Sequence, residues 1–167
     1  ATRYPAAHRR GPDMRYAIVS DIHANWQAWS AVLEDLTARK ADAILCLGDV
    51  VGYGPDPAPV LESVASRAQV VLLGNHDAAL CGLMDDELFN ETARGIIRWT
   101  RGQLDPKAVQ AMRQWPLLVE GDGFGAAHGG FVHPDRFHYV ETPEDAGACW
   151  RAAGGRLLLV GHTHEPV

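Results

Sequence analysis

Seven side chains able to ligate a metal recur in five places that share one local design, a short apolar run that reads as a buried strand and then, at once, Gly, Asp, Asn or His. Val70-Val71-Leu72-Leu73 runs into Gly74-Asn75-His76-Asp77, Tyr16 to Ser20 into Asp21-Ile22-His23, and Ala43 to Leu47 into Gly48-Asp49. Phe124 to Ala127 precedes His128, and Leu157 to Val160 precedes Gly161-His162-Thr163-His164. Asp21, His23, Asp49, Asn75, His128, His162 and His164 are too many nitrogen and oxygen donors for one tetrahedral zinc, and about right for two metals sharing a carboxylate. A sulfur-free mixture of imidazole and carboxylate suits Mn, Fe, Co, Ni or Zn better than Mg or Ca alone. Asp21 and His23, like His162 and His164, stand two residues apart and leave on one face if the extended backbone persists.

A single histidine is more often an ordinary surface or core residue than a ligand. Here His23, His76, His128, His162 and His164 are five of the 8 in the chain, and each follows a predicted strand; His8, His133 and His138 lack that context. Asp49 or Gly74-Asn75 alone would read as turn residues, and it is the constellation that argues otherwise. In an open α/β sheet the loops at the carboxyl ends of the strands converge, and helix N-termini add positive dipole ends there. Five such ends assemble one site.

The elements that position these loops follow from pattern. Tyr16 to Ser20 carries no charge, as expected of a strand covered on both faces. Asn25 caps a helix in which Trp26, Trp29, Val32, Leu33 and Leu36 recur at three- and four-residue spacing to about Lys40. Strand, helix and strand make a βαβ unit with parallel strands. Gly52 to Pro57 is a turn by composition, and a helix from about Ala58 to Ser66 closes a second such unit. From Ala78 to Gln114 the spacing is helical, with an Asn90 cap and a helix start at Pro106, so this stretch covers one face or overhangs the site. Leu117 to Glu120 and Phe124 to Ala127 read as a hairpin across Gly121-Asp122-Gly123, and Thr142-Pro143-Glu144 opens a last helix that ends near Gly154-Gly155.

A chain of 167 residues, 47% hydrophobic and 22% charged, is one globular domain. We expect residues 14–167 to form it and residues 1–13 to be a flexible extension. With 15 Lys+Arg against 21 Asp+Glu the net charge of -6 argues against a stable nucleic-acid complex. No apolar run approaches the ~18 residues of a membrane span. Cys46, Cys81 and Cys149 are odd in number and unpaired in spacing, as expected of reduced cytoplasmic thiols used for packing.

Asp21-x-His23, Gly48-Asp49, Gly74-Asn75-His76-Asp77, His128-Gly129-Gly130 and Gly161-His162-Thr163-His164 resemble, in order, the five motifs of the calcineurin-like metallophosphoesterases. Gly52-Tyr53-Gly54-Pro55 is similar to a stretch of their small prokaryotic phosphodiesterase branch. The resemblance implies an α/β fold, a four-layer αββα sandwich of two mixed sheets flanked by helices. It implies one metal on Asp21, His23, Asp49 and His164 and a second on Asp49, Asn75, His128 and His162, with Asp49 bridging. Two such cations would lower the pKa of a nearby water toward neutrality and so supply a nucleophile for in-line attack on phosphorus. His76 then stabilises the phosphoryl group or protonates the leaving oxygen, with Asp77 or Asp56 as the carboxylate that orients it. Asn75, His76 and Tyr53 are the expected substrate contacts.

Two departures shape the expected substrate. Family protein phosphatases follow the bridging Asp with an Asp and an Arg that grips phosphate, whereas Gly52 and Tyr53 stand here. Losing that fork favours a diester or a small phosphorylated molecule over a phosphoprotein, unless Arg94, Arg98 or Arg101 reaches the pocket. The chain also stops three residues after His164, so the second sheet is truncated or a homo-oligomeric partner covers its edge. The competing readings are a serine/threonine protein phosphatase, a hydrolase of dinucleoside polyphosphates or cyclic nucleotides, and a metal-free scaffold of the same fold.

Overall fold

The computed structural model of the chain describes residues 2–3, 14–121, 123–154 and 157–165. The expectations for Asp122, for the Gly155 helix end and for most of the first 13 residues fall outside them. Thr2–Arg3 form a short strand, β1, that pairs in parallel with a strand at Leu118–Glu120.

Four of the described α-helices start where a side chain accepts a free N–H group of the first turn. After β2 (Tyr16–Val19), Asn25 accepts from Ala28 N at 2.9 Å and opens α1 (Trp26–Ala38). Next come β3 (Ala43–Cys46), α2 (Pro57–Arg67) with proline in its first turn, β4 (Val70–Val71) and α3 (Asn75–Leu80). Asn90 caps α4 (Glu91–Gln103) and Asp105 caps α5 (Pro106–Met112). The hairpin is β5 (Leu118–Glu120) and β6 (Phe124–Ala127), and a reciprocal Thr142 and Asp145 cap opens α6 (Pro143–Ala152) before β7 (Leu157–Leu159).

The strands form two sheets. One is β2-β3-β4, parallel throughout; the other is β1-β5-β6-β7, in which only β5 and β6 run antiparallel. The buried clusters follow as layers. Trp29, Val60, Val64 and Ile97 from the helices pack with Cys46 and Val71 on the outer face of the first sheet. Leu47, Leu72, Val119 and Ala126 fill the space between the sheets. Ala127, Phe131, Val140 and Cys149 join the second sheet to α6. This is the four-layer αββα order. Ile97 of α4 and Met112 of α5 pack into the outer cluster of the first sheet.

The uncharged strand β2 is not covered on both faces as its composition suggests. It lies at the edge of its sheet, and Tyr16 and Ile18 on one face stay 37% and 41% exposed.

Candidate metal centre

All five loops meet because they hydrogen-bond to one another rather than continuing their strands. Beyond β2, Asp21 N, His23 N and Ala24 N donate to the carbonyls of Gly48, Asp49 and Val50 at 2.9–3.0 Å, which zips the first loop along the second. His162 N donates to Asp21 Oδ2 at 3.0 Å, fastening the last loop to the first. His76 N donates to Asp49 Oδ1 at 2.9 Å. Gly74 is required at this crossing, because a Cβ there would collide with the Asp49 carboxylate and backbone N.

The side chains converge by a different geometry from strand alternation. Asp21, His23, Asp49, His162 and His164 all have positive φ, between 49° and 74°. Left-handed backbone at non-glycine residues is uncommon, and it persists only where the surroundings over-determine it. The mutual loop bonds supply that constraint. The extended backbone thus ends with the strands, and left-handed turns swing the ligands inward.

Two groups of donor atoms result, each with its members within 4.8 Å of one another: Asp21, His23 and His164, and Asp49, His128 and His162. Asp49 Oδ2 lies 3.7 Å from His23 Nε2 and 3.4 Å from His128 Nε2, so it stands between the groups. Asn75 Oδ1 is 3.1 Å from His128 Nε2. All seven sequence-predicted ligands are therefore in one place.

The donor set fits cations. His128 Nδ1 faces the Leu47 carbonyl at 2.9 Å and His23 Nδ1 faces the Val51 carbonyl at 3.3 Å. A carbonyl only accepts, so each Nδ1 carries a proton and each ring turns Nε2 inward, where it offers a lone pair once the ring is neutral. There His23 Nε2 meets His164 Nε2 at 3.1 Å, and His164 Nε2 meets Asp21 Oδ1 at 3.3 Å. Asp21 Oδ1 is buried and has no hydrogen-bond partner among the described residues. Lone pairs and carboxylate oxygens collected without donors are what a cation satisfies.

In the chain alone, protons take that place. Burial pushes Asp49 up, but His128, His76 and His23 outweigh it and hold the carboxyl down at about 2. Burial pushes His128 down, and Asp49 and Asp21 outweigh that and lift the ring to about 9. Burial leads in lowering His76 and His162 to about 4.

Several side chains do something other than the sequence suggests. Asp77 does not touch His76; its buried carboxylate accepts from Val50 N, Val51 N and Gly74 N at 3.2–3.3 Å and ties the second loop to the third. Asp56 Oδ2 is buried without a partner among the described residues, and so is His76 Nδ1. The His76 ring instead packs against Tyr53, Phe89 and His23, with centroids 4.5–5.0 Å away. Arg98 pairs with Asp86 and Arg101 donates to the Ala79 and Leu80 carbonyls, so neither is free to grip phosphate, while Arg94 donates from Nη2 to the Phe89 carbonyl and keeps a buried Nε without a partner among the described residues. Sequence reasoning missed Phe89 and Tyr139, the latter stacked on His162 at 4.0 Å and 9°. Neither lies in a motif, and no spacing rule marks them.

Two packed sheets thus carry a candidate metal centre at their strand ends. The chain belongs to the calcineurin-like phosphoesterase family, whose model matches residues 14–166. An uncharacterized protein of Methanocaldococcus jannaschii is 32% identical over 154 residues, 90% of this chain and 62% of that protein. Phosphodiesterase YfcE of Escherichia coli is 26% identical over 161 residues, 92% of this chain and 71% of that protein. The crystal structure of a metallophosphoesterase from Sphaerobacter thermophilus superposes with a TM-score of 0.79 at 38% identity, covering 92% of this chain and 62% of that one. The chain thus spans about three fifths of the length of two of these relatives. Among the described residues, no helix is long and apolar enough to cross a membrane.

Proposed function

We propose that the protein is a phosphodiesterase or small-molecule phosphoesterase that works with two divalent transition-metal ions. One would be held by Asp21, His23, Asp49 and His164 and the other by Asp49, Asn75, His128 and His162, with Asp49 shared. When bound, the pair supplies a nucleophile from water at neutral pH and positive charge against the phosphoryl oxygens. The observation that carries this reading is the meeting of two donor triads around one buried carboxylate.

The chain's own residues hold the rest. Asp77 and Gly74 fix the loop of Asp49 against that of Asn75. His76, kept neutral by burial and set on Tyr53 and Phe89, offers its ring N–H to a phosphoryl or leaving oxygen. Tyr53, 49% exposed beside His23 and His76, presents a neutral hydroxyl where protein phosphatases carry a guanidinium. A monoester dianion needs that fork more than a diester monoanion does. Arg98 and Arg101 are engaged on Asp86 and on the last carbonyls of α3, so neither of these replaces it.

Elemental analysis after reconstitution with Mn and Ni should find about two ions per chain, and kcat/KM under the better metal should rank bis-p-nitrophenyl phosphate above p-nitrophenyl phosphate and a phosphopeptide. Absence of metal would overturn the dinuclear reading. Best turnover of the phosphopeptide would replace the diesterase with a protein phosphatase.

A further inference from the structure

From the ring packing around a His76 that lacks a hydrogen-bonded partner, we infer that Phe89 sets the orientation of the His76 imidazole in place of a carboxylate, with Arg94 holding Phe89 in turn. The inference rests on the phosphoesterase reading and adds a positioning residue to that same site.

An imidazole turns about its last side-chain bond in a broad, roughly two-fold well, so something beyond its own rotamer must fix where its nitrogens point. A hydrogen bond to one ring nitrogen is the usual means. His76 has none there, because its Nδ1 is buried without a partner among the described residues. Gly52 closes that side, since a Cβ on it would stand 2.9 Å from Nδ1 and 3.2 Å from Cγ of the ring. The neighbouring carboxylates are spent elsewhere, Asp77 on three backbone N–H groups and Asp49 Oδ1 on the backbone N–H of His76. That leaves Nε2 as the nitrogen able to serve a substrate, and it leaves packing to aim it.

Three rings supply the packing. Tyr53 and His23 lie 4.5 and 5.0 Å from the His76 centroid, but Tyr53 is 49% exposed and His23 is itself a candidate ligand. Phe89, 5.0 Å away at 70°, makes an edge-to-face contact and is the one of the three tied into the outer cluster of the first sheet. Its backbone is fixed from both sides. Phe89 N donates to the Asp86 carbonyl at 3.1 Å, Arg94 Nη2 donates to the Phe89 carbonyl at 3.3 Å, and Asn90, next in the chain, accepts from Ala93 N at 2.9 Å to start α4. Arg94 makes this bond although its Nε stays buried without a partner among the described residues.

A hydrocarbon ring has no chemistry of its own to offer a phosphate. Whatever Phe89 contributes to turnover passes through His76, and hydrogen bonding or proton transfer by a misaimed ring falls off steeply.

The test is a double-mutant cycle on the Mn-loaded chain with bis-p-nitrophenyl phosphate, joined to proton NMR of the metal-free chain. Phe89→Leu, which keeps apolar volume and loses the flat ring, should lower kcat about 5- to 30-fold with KM and metal content unchanged, and Phe89→Tyr should keep kcat. In a His76→Ala background Phe89→Leu should change kcat by less than about 2-fold, because the two residues act as one unit. Arg94→Met, which frees the Phe89 carbonyl and leaves its ring, should lower kcat in the same His76-dependent way, and it carries the cycle if Phe89→Leu does not fold. In the metal-free chain the His76 Hδ2 resonance, assigned by its absence in His76→Ala, should move in Phe89→Leu and stay in place in Phe89→Tyr. An equal fold-loss of kcat with and without His76, loss of metal in Phe89→Leu, or an unmoved His76 resonance would overturn the inference and leave the phosphoesterase reading intact. Failure of the metal-loaded wild type to hydrolyse any phosphoester would overturn both.

Discussion

Arg101 and Arg98 lie three residues apart on α4, carry the same charge, and should differ sharply when removed. Arg101 Nε and Nη2 donate to the Leu80 and Ala79 carbonyls at 2.7 Å each, the last two residues of α3, and Arg113 donates to Cys81 just beyond. Carbonyls at a helix end lack partners in the next turn, although Ala79 O also accepts from Gly82 N at 3.0 Å, and a cation there complements the dipole. Hydrogen bonds to charged groups are worth about 1.5–3 kcal/mol each, but Arg101 is itself exposed, so water would recover part of the loss in its absence. We expect Arg101→Met to cost about 1–2 kcal/mol, a fall in Tm of about 2–8 °C for a domain of this size. Arg98 pairs with Asp86 at 3.0 Å with its side chain 63% exposed, where water screens the pair, so Arg98→Met should leave Tm nearly unchanged. Arg101→Lys should fall between, because a lysine cannot present two donors in a fork. Because α3 carries Asn75 and His76, Arg101→Met should also weaken metal retention, read by competition with a chelator. Differential scanning calorimetry on the three variants decides the matter. Equal Tm values for Arg101→Met and Arg98→Met, or an Arg101→Met effect confined to KM, would refute the capping role and return Arg101 to the pocket.

Asp49→Asn should lower both metal content and turnover, since a neutral amide bridges cations poorly, whereas His76→Ala should keep its metal and lose about 10²–10³-fold in kcat; metal analysis beside kinetics separates them. Gly74→Ala should abolish metal binding by displacing Asp49, while Gly95→Ala, on the exposed face of α4 with nothing within 4 Å of the added Cβ, should stabilise the chain by about 0.5–1 kcal/mol in thermal melts. Burial raises the Cys46 thiol to about 12 and the Cys81 thiol to about 11, so near pH 8 their thiolate fractions are on the order of 10⁻⁴ and 10⁻³. Native protein should resist a disulfide reagent at pH 8, and sensitivity should rise with pH toward those values; fast labelling of two thiols at pH 7 in the folded chain would contradict their burial.

Most of the secondary structure and the list of candidate donors were readable from residue order, because both are local. Asn25, Asn90, Asp105 and Thr142 accept from N–H groups only two or three residues ahead, so their caps are written in the sequence. The apolar runs that end in Asp, Asn or His are equally local, and parallel βαβ handedness then sends the first three loops to one edge. What residue order could not show is how the ligands turn inward. Left-handed backbone at Asp21, His23, Asp49, His162 and His164 costs energy in isolation and exists only because loops as far as 141 residues apart bond to one another. The same holds for Asp77, whose three backbone partners include residues 26 and 27 positions away, and for Arg101, whose target carbonyls lie 21 and 22 away. Tyr139 and Phe89 are the extreme case. An aromatic residue outside any motif carries no signal of function, and only the packing of the 137–140 loop on Gly129 and Gly130 brings Tyr139 onto His162. Chemistry that depends on residue type was legible, and chemistry that depends on which surfaces meet was decided by the tertiary fold.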